Sequence, residues 1–453
     1  MTHTTPSNNP LSDIRIIKNR LSEHRAGKSA NRLGRKLKKA FLLLLLLTGS
    51  IGADAQGRYE ALPAEYDGSM MPYDFGRCEA AAVPDSLQPF FITYVARHGA
   101  RFLSSEKKVS RLSDAIEKAR QAGNLTPLGR EFDGLIEIVK RHTDGRWGAL
   151  DSVGACEQQE LGRQMAETWP SVTKSGTVKA RATYVPRVVM SMYEFAHSLG
   201  AVRQNLDIYT AEGHKFDSLL RYFTTDSIYV KYLKDKPWKK EYDHFVESHI
   251  SARPAEALFG ATFDEKENRK LTLELFGVIQ SLRAAGLRAP DSRWMTAEEY
   301  HDCWEAANLE HYFARTDNPL SHIPVEGAVP LLQNMITGLE EAAAGCCESG
   351  SEIKAQLYFG HAETLMPLLS LCDVEGCNAP DAQPEDVAKV WKDYEVVPLG
   401  ANFEIVLMRA PSGTVYALTR LNGRNVKVGS LPTPLVKWTQ LKDFLNTRIS
   451  RFK

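Results

Sequence analysis

The run Pro89-Phe-Phe-Ile-Thr-Tyr-Val-Ala96 is almost wholly apolar, aromatic or β-branched, without a polar alternation. A strand of that kind must be covered on both faces, so it belongs in the middle of a sheet flanked by helices. Two more strand-to-helix junctions follow. Val178-Lys-Ala-Arg-Ala-Thr-Tyr184 alternates as a strand should, and Pro186 then opens a helix through Leu199, at a position where proline is tolerated. Gln356-Leu-Tyr-Phe-Gly360 is a short apolar strand followed by His361-Ala-Glu363 and a helical Leu-rich run. Asn402–Met408 and Thr414–Thr419 form a hairpin-like pair around Pro411-Ser-Gly413.

Residues 105–141 and 154–168 have helical spacing, and 203–320 are charged, aromatic and Leu-rich with no clear β-alternation. The expectation is an α/β fold: a central, mostly parallel sheet with helices on both faces, plus a smaller helical domain. Residues 85–200 and 325–453 would form the α/β domain, 201–324 the helical insertion, and 56–84 an irregular arm rich in Pro, Gly and Tyr.

Residues 1–40 carry ten Lys/Arg against Asp13 and Glu23, and Phe41–Leu47 is apolar. Ala53-Asp54-Ala55 supplies an A-x-A site, so residues 1–55 read as a signal peptide with an extended basic n-region, cleaved near Ala55. A periplasmic or secreted location follows, with no membrane span after cleavage. The whole chain has a formal net charge of zero; removing the +7 of residues 1–55 leaves the remainder at −7. An acidic chain of that kind is a poor general binder of nucleic acid, so any anion site must be local.

Seven cysteines are present. Cys372 and Cys377 flank a short turn and are the best candidate disulfide; Cys346-Cys347 is expected to be structural rather than redox-active. No CxxC occurs and the histidines are scattered, so neither a metal nor another cofactor is expected.

Each junction ends on charged or titratable residues. At the first, Arg97 and Arg101 bracket His98 and Gly99. Guanidinium forks match the oxygens of a phosphoryl group, and glycine lets the backbone approach an anion closely. A neutral, oriented His98 could attack phosphorus. The leaving alkoxide then needs a proton, for which Glu363 is the candidate donor. His361 and Arg187 would add charge or donors to the phosphoryl oxygens. Arg181 is the rival of Arg187 for that clamp, and Lys234–Lys240 could gather peripheral phosphates or be a solvated helix end.

These motifs, TYVARHGAR, VPRVVMS and GHAE, resemble the histidine acid phosphatase family, the clade-2 histidine phosphatases, over about residues 90–408. The HAE variant looks most like the multiple inositol polyphosphate phosphatases, which act as phytases. The resemblance implies a phosphate pocket of Arg97, Arg101, Arg187 and His361, with Ser104 as a further contact, a phosphohistidine on His98, and Glu363 as proton donor. Leu103 departs from the family's Pro, and Ser104 replaces a common Thr. The implied function is hydrolysis of phytate and other inositol polyphosphates. The alternatives are a narrower acid phosphatase on sugar phosphates or bisphosphoglycerate, or a non-catalytic inositol-phosphate-binding protein.

Overall fold

In the computed structural model, residues 59–81, 83–345 and 352–452 are described, and those from Glu60 onward form one compact unit. The proposed leader and Cys346-Cys347 lie outside the described residues. The strands are β1 (Gln88–Arg97), β2 (Gly176–Ala182), β3 (Leu206–Glu212), β4 (Ile353–Gly360), β5 (Asn402–Arg409), β6 (Val415–Leu421), β7 (Arg424–Asn425) and β8 (Leu435–Lys437). They form one sheet in the order β3-β2-β4-β1-β5-β6-β7, with β8 also on β6.

The sheet is mixed. The ladders joining β3, β2, β4 and β1 are parallel, whereas β1–β5 and the pairings beyond it are antiparallel. The junction of the two halves is β1 itself, which explains its unbroken apolar character: it has a neighbour on each edge and a core on each face. Phe91 and Val95 face one core, and Ile92, Tyr94 and Ala96 face the other.

Each core is sealed by helices, numbered here for those of seven residues or more. On the Ile92 face lie α3 (Ser152–Thr168) and α4 (Pro186–Val202), after α1 (Lys107–Gln121) and α2 (Pro127–Thr143) in the chain. Leu161 and Met165 of α3 and Met192, Phe195 and Leu199 of α4 fill that core. After α5 (Ser227–Asp235), α6 (Lys239–His249), α7 (Arg253–Phe259), α8 (Glu265–Ile279) and α9 (Ala297–Arg315) come the helices of the other face. These are α10 (Ile323–Ala344), α11 (Ala362–Leu371) and α12 (Trp438–Arg451), which contribute Leu332, Met335, Leu365, Leu368, Leu441 and Leu445. No described helix is long and apolar enough to cross a membrane.

Two local expectations are corrected. Leu206–Glu212 is an edge strand parallel to β2, inside the stretch read as helical; the alternation of Leu206, Ile208 and Thr210 with Asp207, Tyr209 and Ala211 was the available signal. Cys372 and Cys377 are buried, unbonded thiols. Cys372 caps α11 and Asp373 turns left-handed (φ 56°), which closes the turn without a covalent link. The N-terminal arm forms 3-10 turns at Glu65–Met70 and Phe75–Arg77 and buries Leu62, Met70, Met71 and Tyr73. Its Asp67 is fully buried against Arg283 and Tyr300.

Candidate active site

The register of the parallel half brings two junctions together. Arg97 pairs with Gly360 across the β1–β4 ladder, and the His98 N–H donates to the Gly360 carbonyl at 3.1 Å. His361 therefore follows β4 beside the residue that follows β1, and the two imidazole rings meet edge-on with centroids 5.7 Å apart. β2 is β4's other neighbour, with Ala182 opposite Phe359. The turn after it carries Thr183 and then Arg187 in the first turn of α4. Arg187 Nη2 reaches His361 Nδ1 at 3.5 Å, and His361 Nε2 lies 3.3 Å from Thr183 Oγ1. Because guanidinium can only donate, His361 accepts through Nδ1 and donates through Nε2.

His98 is buried, and its Nδ1 lies 2.8 Å from the Gly99 carbonyl oxygen. A carbonyl only accepts, so Nδ1 carries the proton and Nε2 keeps its lone pair. Burial, then Arg187, Arg97, His361 and Arg101, push the imidazole well below its ordinary pKa, so it is neutral. His361 is likewise held down, to about 3, by burial and then by Arg187, Arg221 and Arg97 against an opposing pull from Glu363.

The loop after β1 is held by packing. A Cβ on Gly99 would lie 2.5 Å from the Gly154 carbonyl oxygen, and one on Gly154 2.1 Å from the Ala100 oxygen. Only two glycines allow this backbone-on-backbone contact between the loop and α3. The Gly99 N–H donates to Ser191 Oγ of α4 at 3.1 Å. Leu103 is buried in the core and accepts from the Gly148 N–H at 2.7 Å, so an apolar residue is accommodated there.

Arg97 is buried, and its Nη1 donates to the carbonyls of Ser69 and Val397, both at 2.5 Å. Arg101 donates to the Phe102 carbonyl at 3.0 Å and contacts Met70 Sδ. Burial lowers Arg97 to about 10 and, with Arg187 and Arg97 adding to it, Arg101 to about 9; both remain cationic at neutral pH. The Nε groups of Arg97, Arg101 and Arg187 are buried without a partner.

Glu363 sits in the first turn of α11, where the helix N-terminus favours an anion. Burial pushes its carboxyl up, but Arg315, His361 and Arg97 outweigh that and hold it at about 2. The carboxylate is thus ionised, whereas a proton donor must be protonated. A bound dianion would offset the surrounding guanidinium charge and return proton affinity to Glu363.

Ser104 is exposed, and its carbonyl oxygen and Arg187 Nη1 both lie close to Gly148. Arg181 donates to Tyr358 OH at 3.1 Å and to Asn334, so it is engaged elsewhere. Lys236 and Lys239 pair with Glu310 and Asp243 on the surface, as a solvated helix end does. Sequence reasoning missed Arg315, and Arg221 was not singled out above other basic residues. The guanidinium carbons of Arg221 and Arg315 lie 5.8 and 5.6 Å from the Phe223 ring, which meets His361 edge-on at 5.8 Å. Arg97, Arg101, Arg187, Arg221 and Arg315 have no ion-pair partner among the described residues. Glu363 is the acid common to Arg97, Arg101, Arg187 and Arg315, with Asp393 and Glu157 also acting on Arg97 and Asp151 on Arg101.

Among the described residues, His301, Asp302 and Glu305 of α9 place one donor atom each within 4.8 Å of one another. They are not part of the cluster around His98.

Residues 91–427 match the profile of the histidine phosphatase superfamily, branch 2. No curated protein sequence matches significantly. The fold is similar to that of Bifidobacterium longum multiple inositol polyphosphate phosphatase in complex with inositol hexasulfate, with a TM-score of 0.65 at 17% identity, covering 84% of this chain and 97% of that one. The apo form of the same protein gives 0.70 at 15% identity over the same shares. The phytase from D. castellii gives 0.56 at 13% identity, covering 85% of each chain.

Proposed function

The chain belongs to the histidine phosphatase superfamily, branch 2, and we propose that it hydrolyses inositol hexakisphosphate and lower inositol polyphosphates after export. The observation that carries this reading is the state of His98: neutral, its Nδ1 proton committed to Gly99, its Nε2 lone pair free among guanidinium groups. In the proposed reaction Nε2 attacks phosphorus in line, the phosphorus–oxygen bond to the inositol breaks, and Glu363 delivers a proton to the departing alkoxide. Glu363 then takes a proton from water, which attacks the phosphohistidine and releases inorganic phosphate and His98. Arg97, Arg101, Arg187 and His361 spread the charge on the three phosphoryl oxygens, and Ser104 would contact the substrate at the rim.

Charge balance favours a polyphosphorylated substrate. Beside Arg97, Arg101 and Arg187, which suffice for the charge of about −2 on one phosphoryl group, stand Arg221 and Arg315, two further guanidinium groups with no ion-pair partner among the described residues. Further phosphates on the same ring would use the remainder, which favours inositol polyphosphate over glucose 1-phosphate. The sheet carrying the three junctions as one α/β domain, with residues 201–324 largely a helical cover over the site, is part of the same proposal, as is a cleaved leader.

The test is incubation of the purified protein with inositol hexakisphosphate, chelator present, following inorganic phosphate and the isomers formed, beside glucose 1-phosphate. Release with preference for the polyphosphate supports the reading. No release from any phosphomonoester leaves a binding protein, and preference for the sugar phosphate leaves a narrower acid phosphatase.

A further inference from the structure

Glu157 of α3 is 4% exposed, yet no Lys or Arg side chain among the described residues is ion-paired with it. Its two oxygens are both taken by backbone. Oε2 accepts from the Ala100 N–H at 2.7 Å and Oε1 from the Tyr73 N–H at 2.9 Å. One carboxylate thus joins the loop that carries His98 to the N-terminal arm, whose Ser69 carbonyl receives Arg97. A buried carboxyl with no ion pair among the described residues is costly to retain; burial raises its pKa to about 7 against the pull of the two amides and the charge of Arg97.

We propose that Glu157 is a positioning residue for the reaction, acting through the loop of residues 98–101 to aim the His98 imidazole. The neighbouring contacts agree in direction. Gln158 Nε2 reaches the Arg97 carbonyl at 3.4 Å, the Asp151 N–H donates to the Ala100 carbonyl at 3.1 Å, and the Gly400 N–H donates to the His98 carbonyl at 3.0 Å. With Gly154 against Gly99, these leave the loop one setting, and the ring of His98 is tied to that setting through the Gly99 carbonyl. A side chain held from both sides is the kind of support that fixes a reacting group within the fraction of an ångström that catalysis requires. The inference rests on His98 being the nucleophile.

The test compares wild type, Glu157→Gln, Glu157→Asp and Glu160→Gln on inositol hexakisphosphate, reading kcat and KM separately, with thermal unfolding alongside. Glu157→Gln sets an amide NH2 against a backbone N–H, and the loop shift should lower kcat roughly 10- to 100-fold, the scale of an ångström misplacement, with KM within about twofold. Glu157→Asp restores the charge one methylene short and should give an intermediate kcat, and it carries the test if the Gln variant fails to fold. Glu160, ion-paired with Arg163 on the same helix, is the control and should behave as wild type. A kcat for folded Glu157 variants within twofold of wild type, even with reduced thermal stability, overturns the inference, as does an equal loss in Glu160→Gln. A wild type with no turnover would instead remove the proposed reaction, and this inference with it.

Discussion

The backbone N–H of His98 donates to the carbonyl oxygen of Gly360, so the residue after β1 and the residue before His361 are one hydrogen bond apart. A parallel ladder in which Arg97 lies opposite Gly360 leaves little freedom in that placement. The chemistry of the site depends on this register, and a slip of one residue would turn each side chain to the opposite face.

His98→Ala should abolish turnover of inositol hexakisphosphate, by at least about 10³-fold, as removal of a nucleophile does. It should still bind the ligand, because the five arginines remain. Phosphate release and calorimetric titration read the two effects separately; turnover within tenfold of wild type would exclude His98 as nucleophile.

Glu363, held at about 2 by Arg315, His361 and Arg97, should take up close to one proton when substrate binds near pH 5. Titration calorimetry in buffers of different ionisation enthalpy measures that uptake. Glu363→Gln should lose it and lower kcat roughly 10²- to 10⁴-fold. Binding without any proton uptake in wild type would contradict the donor role.

The same group makes a stability prediction. Its folded pKa lies below the ordinary value of 4.5, so its contribution is present above pH 4.5 and is lost as pH falls through about 2. Each tenfold change in proton affinity between the folded and unfolded chain is worth about 1.4 kcal/mol. On that scale Glu363→Gln should cost up to about 3 kcal/mol at pH 7 and nothing at pH 2. Chemical denaturation at the two pH values tests the sign.

Arg221→Gln should discriminate between substrates. Its guanidinium packs on Tyr184 and Phe223 and has no acid partner among the described residues. The KM for inositol hexakisphosphate should rise roughly tenfold, the loss of one charge-assisted contact, while that for a simple monophosphate ester should hardly change. Equal changes for both would place Arg221 on the transferred phosphoryl group instead.

Gly99→Ala should be inactive and less stable by about 1–3 kcal/mol, since its Cβ would lie 2.5 Å from the Gly154 oxygen, backbone that cannot swing away. Gly145→Ala is no neutral control because of its φ of 68°; Gly134→Ala, in open space on α2, is one. An active, stable Gly99→Ala protein would show that the loop and α3 are not in fixed contact.

Much of this was legible from local pattern. The apolar run from Pro89, the alternation before Tyr184 and the short strand before His361 each announced a strand, and Arg97, His98, Arg101, Arg187, His361 and Glu363 stand at the ends of those runs. The antiparallel half beyond β1 was visible only as a hairpin, because nothing in Asn402–Met408 says which strand it will pair with. β3 is hard to read because its alternation is short and carries Asp207 and Glu212 on an exposed edge.

Residue type and spacing determined which chemistry is available: guanidinium groups and an imidazole after one strand, an imidazole and a carboxylate after another. Folding decided what that chemistry faces. Burial and the surrounding guanidinium groups make His98 neutral, and three-dimensional proximity places Arg221 and Arg315 beside His361, puts Glu363 under the charge of Arg315 and Arg97, and sets Glu157 between the arm and the loop. Electrostatic coupling falls off with distance through space and is blind to separation along the chain, so no periodicity could have disclosed those partners.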